Sequence, residues 1–150
     1  MQNQPDNFWG NPIFSYTRAQ AIADGVLVDL TTATDDKSQL ICPQAGFKVP
    51  VAMTRAAWAQ TIEAGGSRKP DGDGEILELM GGQSPTGRLW DVLWMLRLAS
   101  GKADNTDRVH FQVLVDANGD GRREVVRLWA LCGPGDDARP VITIMVEGED

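Results

Sequence analysis

The 150 residues include one histidine, one tyrosine and two cysteines, and that shortage excludes several chemistries at once. Cys42, Cys132 and His110 have none of the close spacing that a structural zinc site needs. Basic residues are outnumbered, 14 against 21 acidic ones, for a net charge of −7. A general nucleic-acid binder shows the phosphates a basic face, so no nucleic-acid partner is expected. Long hydrophobic runs are also missing. The best stretch, residues 89–99, is broken by Asp91 and Arg97, so no membrane partner is expected. Residues 1–12 lack both the basic and the apolar region of a signal peptide. The cysteines are then expected as reduced thiols and the chain in the cytoplasm.

What is present describes one ordinary globular unit. Hydrophobic residues make 42% and charged ones 23%, with five tryptophans to fill a core, enough at this length for a single domain without covalent staples. We expect a polar N-terminal segment over 1–11, one α+β domain over 12–147 and an acidic tail over 148–150. Residues 13–16 read as a short strand. Thr17 then offers an N-cap, with Gln20 completing a capping box, and Gly25 stops the helix. A strand over 26–30 follows, and residues 40–42 suit a small edge strand ended by Pro43. A second strand–helix unit repeats the first in outline. Its strand over 47–52 is expected at an edge because of Pro50, Thr54 is its N-cap, and Gly65 is its stop. Residues 65–74, rich in glycine, read as a loop.

The strongest helix signal covers 88–99. Leu89, Val92, Leu93, Leu96 and Ala99 make one stripe, and Trp90 and Trp94 stand four apart on a neighbouring face. With so few charges, this helix is expected to be covered on most sides. The last third alternates as strands do: Val109, Phe111, Val113 and Val115, then a returning strand over 125–132 and a third over 141–146. The expected fold is therefore α+β, with a C-terminal three-stranded antiparallel meander packed on a central Trp-rich helix, after two short strand–helix units.

Three stretches invite a chemical reading. Asp116, Asn118, Asp120 and Glu124 place short oxygen ligands at alternate positions around glycines, as a calcium loop does. Against that, Arg127 stands where a bidentate acid is expected, Arg122 and Arg123 add positive charge, and Asn-Gly and Asp-Gly are ordinary hairpin residues. Calcium is the one cofactor the pattern allows, and otherwise none is expected. Residues 82–88 resemble a P-loop only superficially, since Arg88 replaces the lysine, Leu89 the hydroxyl, and Pro85 removes an amide. His110 and Cys132 lie on neighbouring strands and, depending on register, share a face or oppose each other.

Four stretches taken together resemble a known family: residues 11–25, which include Ser15-Tyr16-Thr17-Arg18-Ala19, residues 47–58 with Thr54-Arg55, residues 88–99, and residues 132–137 with 140–145. Over nearly the whole chain they are similar to an uncharacterised family of small bacterial proteins associated with plasmids, phages and integrative elements. The Ser15-Tyr16-Thr17-Arg18-Ala19 stretch is the most specific part. The family has no established activity, so the resemblance transfers no catalytic residue. It implies an accessory protein that binds an unidentified protein partner, countering host defence being one version. Phe8 and Trp9 offer interface aromatics, or else they pack on the domain. The alternatives are an enzyme and a calcium-steadied β module. For the enzyme, the opening strand–helix–strand loosely resembles ADP-ribosyltransferase-like domains, with Ser15 nearest the place of their usual histidine or arginine.

Overall fold

Alternating apolar residues build most of the sheet, as expected. In the computed structural model, which describes residues 16–72, 74–102 and 107–149, β5 (Arg108–Val115), β6 (Glu124–Pro134) and β7 (Pro140–Val146) form the antiparallel meander. On β7, Ile142, Ile144 and Val146 join the main core, while Thr143 faces the other way toward α1 (Arg18–Ala23). The five-stranded sheet runs β1-β2-β7-β6-β5. β1 is Leu27–Asp29 and β2 is Val51–Thr54. β2 runs parallel to β7, so the sheet is mixed.

Helices α3 (Arg55–Thr61) and α4 (Pro85–Ser100) lie on the core face. Ala57, Leu89, Val92, Leu93 and Leu96 meet Leu128, Ala130 and Ile144 there. Leu93 has no exposed surface, so trimming it to alanine would cost about 2–5 kcal/mol.

Several expectations need correction. Pro50 does not put β2 at an edge, since β2 lies between β1 and β7. The strand begins one residue after Pro50, whose carbonyl accepts from Ile142 N at 2.9 Å. Its missing N–H therefore falls outside the ladder. Residues 41–44 form a helical turn, α2 (Ile41–Gln44), rather than a strand, with Leu40 bridged to Thr34. Pro43 fits there because a first-turn N–H has no partner within a helix.

The glycine-rich stretch is a hairpin, β3 (Ser67–Asp71) paired with β4 (Gly74–Glu78), rather than a loop. Leu77 is its one described residue that is not exposed. Ion pairs join Lys69 to Glu78 and Arg68 to Glu63. With no buried face, the segment has no alternation to betray a strand.

Helix α4 starts three residues earlier than expected. Ser84 caps it through Gly87 N, and Pro85 occupies the first turn. Nor is it covered on most sides: Trp94 is 51% exposed, with Met95 and Leu98 beside it in water. No helix among the described residues is long and apolar enough to cross a membrane.

Candidate functional site

The two Thr-Arg stretches both start helices, and the fold brings those starts together. In α1, Thr17 Oγ1 accepts from Gln20 N at 3.0 Å, and Gln20 Oε1 accepts from Thr17 N at 2.9 Å, completing the expected capping box. The next two amides are held from far away. Asp136, in the turn between β6 and β7, accepts from Arg18 N at 2.8 Å and from Ala19 N at 3.0 Å. Those two amides, and then the Arg18 charge, hold the Asp136 carboxyl below its ordinary range. The Arg18 side chain folds back onto the sheet, donating to Thr143 Oγ1 at 2.6 Å and to the Ile142 carbonyl at 2.7 Å. Burial lowers its pKa, while Asp29 and Asp136 oppose that shift. Arg18 is a strut between α1 and β7.

The start of α3 is more open. Thr54 Oγ1 accepts from Ala57 N at 3.2 Å and donates to Glu149 Oε2 at 2.8 Å. The same oxygen of Glu149 accepts from Val146 N at 2.7 Å, so this acidic residue folds back and clasps the end of β7. Arg55 Nε donates to the Gly25 carbonyl at 3.2 Å, and its guanidinium lies 3.6 Å from Glu63 with 52% of the side chain exposed. Tyr16 donates to Asp24 Oδ2 at 2.7 Å. That bond raises the tyrosine pKa, with burial and the Asp24 charge adding to it, so the phenol stays protonated at neutral pH.

Tyr16, Thr54, Arg55 and Glu149 thus line one cleft, with a cavity volume of about 620 Å³, floored by Met145 and edged by Val26. Tyr16, 57% exposed, and Val26, 52% exposed, stand beside Arg55 at its rim. Its carboxylates and hydroxyls are engaged with one another. What faces outward is an aromatic ring, an aliphatic side chain and a cation, which suits recognition of another surface. Ser15, Phe8 and Trp9 lie outside the described residues.

In the Asp116, Asn118, Asp120 and Glu124 quartet, two carboxylates accept from the turn's own amides. Asp116 Oδ1 accepts from Gly119 N and Asp120 N, Asp116 Oδ2 accepts from Gly121 N, and Asp120 accepts from Arg122 N. These amides, Gly121 first, lower the Asp116 pKa. Asn118 is exposed, and Glu124 begins β6 opposite Val115. Among the described residues, no group of three or more His, Cys, Asp or Glu side chains is placed to hold a metal ion.

The turn also packs closely on residues 80–81. A Cβ on Gly119 would come within 2.6 Å of Gly81 N, so glycine is required at this approach. The Asp116 carbonyl accepts from Arg88 and from Gln83.

Arg88 is the residue whose role sequence reasoning missed. Only 6% exposed, it is no stand-in for a phosphate-binding lysine. Its Nη1 donates to the carbonyls of Thr61, Ile62 and Ala64 at the end of α3, and Nη2 donates to Asp116. A cation at a helix C-terminus suits both the unpaired carbonyls and the dipole. The signal available was a charge within the apolar stripe of α4, at the turn before Val92. Register also decides the histidine–cysteine question. His110 pairs with Trp129 and stacks on it, so Cys132, three residues further along β6, points to the opposite face. Cys42 is buried beneath Leu30, whose carbonyl it contacts, and burial pushes its thiol up to about 11.

No curated protein and no solved structure matches the chain. Residues 6–150 match the family described as a family of unknown function. The chain therefore belongs to that family, DUF6573.

Proposed function

We propose that this chain is an accessory protein of a bacterial mobile element that acts by contact with another protein, and that the cleft beside α1 is where it makes that contact. The observation that carries the reading is the convergence of Tyr16, Thr54 and Arg55, from two sequence-distant helix starts, on one open depression. Tyrosine and arginine are the side chains that most often dominate binding energy at protein interfaces. The mobile-element setting rests on the resemblance of residues 11–25, 47–58, 88–99 and 132–137 with 140–145 alone. The partner segment that fits has an apolar side chain for Val26 and Met145 and an acidic group for Arg55.

The test replaces Val26 with a photo-crosslinking residue in the producing host and identifies what is captured. The expected result is one protein crosslinked at that position and lost from a Tyr16→Ala, Arg55→Glu variant that melts as the parent does. No crosslinked protein, or one retained by the double variant, would overturn the reading.

A further inference from the structure

A different face of the molecule is unfinished in two layers at once. Among the described residues, strand β5 ends the sheet. Its eight residues pair with β6 without a break, and it contains neither proline nor lysine. Sheet edges in monomers are normally blunted by such residues, by a bulge or by shortness. The Asp107 carbonyl accepts from Cys132 N at 2.8 Å. By antiparallel alternation, the backbone groups of His110, Gln112 and Leu114 therefore turn away from β6. Above this edge, α4 exposes Trp94, Met95 and Leu98, and on the opposite face of β5 Leu114 is 55% exposed. A groove of about 420 Å³ runs between helix and strand, with one acid, Asp91, and one base, Arg123, in its lining.

We propose that a second copy of this chain covers that face, pairing β5 with β5 about a two-fold axis. A lone extended segment would complete the strand edge and leave the α4 flank in water. The chain itself offers a strand and a helix flank in the matching arrangement. With Gln112 opposite Gln112 of the second copy, His110 faces Leu114 of that copy, and core-side residues meet core-side residues. The two sheets then join into one of ten strands, twice the five seen here. The two α4 helices lie side by side on the same surface, burying Trp94, Met95 and Leu98 against their counterparts.

The area is adequate. β5 spans about 27 Å and α4 about 24 Å, stacked in a face roughly 20 Å deep. That is on the order of 500 Å² per copy, and the total of about 1,000 Å² is the level a specific interface needs. At the contact itself the one acid and one base of the groove balance, so no excess of like charge is brought together there.

The test is the solution mass of the whole chain by sedimentation equilibrium at about 50 µM. The expected mass is twice 16.3 kDa, and Trp94→Lys with Leu98→Lys should weaken association at least about 100-fold at an unchanged melting temperature. Gln112→Cys in a Cys132→Ser background provides a second readout. The axis would bring the two Cα atoms to about 5.5 Å, within disulfide range, so oxidation should link the copies. Arg68→Cys, on the β3–β4 hairpin, should not. A monomeric parent, a dimer untouched by the lysine pair, or no disulfide at position 112 would each overturn the proposal. Arg55→Glu, in the cleft beside α1, should leave the dimer intact, so the two readings fail separately.

Discussion

Two helix starts in this chain share the run Thr-Arg-Ala, and they serve opposite ends. At Thr17 and at Thr54 the threonine hydroxyl caps the helix in the same way. The arginines that follow diverge. Arg18 is half-buried, and its two terminal nitrogens are bound to the middle of β7. Arg55 reaches sideways to Gly25 and leaves most of its surface at the rim of a cleft. Local chemistry fixed the cap in both cases. What the next residue does was fixed by the strand against which each helix lies. α1 sits over Thr143, whereas α3 packs Ala57 into the main core and turns Arg55 outward. A repeated motif is therefore evidence for a repeated local structure and for nothing beyond it.

Arg88 is the extreme case of an arginine that holds the fold, and it should give the largest effect. Arg88→Met would take this donor from the carbonyls of Thr61, Ile62 and Ala64 in a buried setting and leave the Asp116 carbonyl with Gln83 alone. A loss of about 3–5 kcal/mol in urea unfolding is expected. A loss under about 1 kcal/mol would mean that water replaces the guanidinium, and that this junction is looser than its geometry.

Arg18 comes next. Arg18→Met keeps much of the stem and removes two hydrogen bonds in a half-buried place, for an expected loss of about 1–2 kcal/mol, read in the same experiment. Its partner Asp136 gives the comparison a pH dependence. The folded carboxyl is held below its ordinary range, while the unfolded one titrates near the usual value of about 4. The folded state therefore binds fewer protons. The stabilisation is present above about pH 4 and fades as pH falls through the lower folded value. Melting the parent and Asp136→Asn side by side from pH 7 to pH 3 should show the widest gap at neutral pH. A gap that stays constant or widens with acid would show that Asp136 acts by shape rather than by charge.

What the sequence made legible follows the same division between local and distant causes. Thr17 with Gln20, Thr54, and Gly25 at a φ of +78° could be read because capping is settled within a few residues. The meander could be read because Val109, Phe111, Val113 and Val115 alternate against one buried face. The β3–β4 hairpin was opaque for the opposite reason, having no face to bury. The cleft was half legible. Thr54 and Arg55 announce themselves by repeating Thr17 and Arg18, but Glu149 reaches Thr54 across 95 residues, just as Asp136 reaches Arg18 outside the cleft across 118. No spacing rule connects positions so far apart. Arg88 looked like part of a loop motif because glycines flank it, and only the end of α3 above it shows why a cation belongs there.

The smallest expected change is the most informative for function. Arg55 is exposed, its ion pair with Glu63 is at 3.6 Å, and one side-chain hydrogen bond to Gly25 is at stake. Exposed pairs of this kind contribute little, so Arg55→Ala should alter unfolding by no more than about 0.5 kcal/mol. Arg18→Met and Arg55→Ala, measured together, then separate strut from rim. If Arg55→Ala proves as damaging as Arg18→Met, the two helix starts are equivalent braces and the cleft loses the one cation that its partner would recognise. If it is silent in stability, the reason for an arginine there lies outside the folded chain, in what the cleft meets.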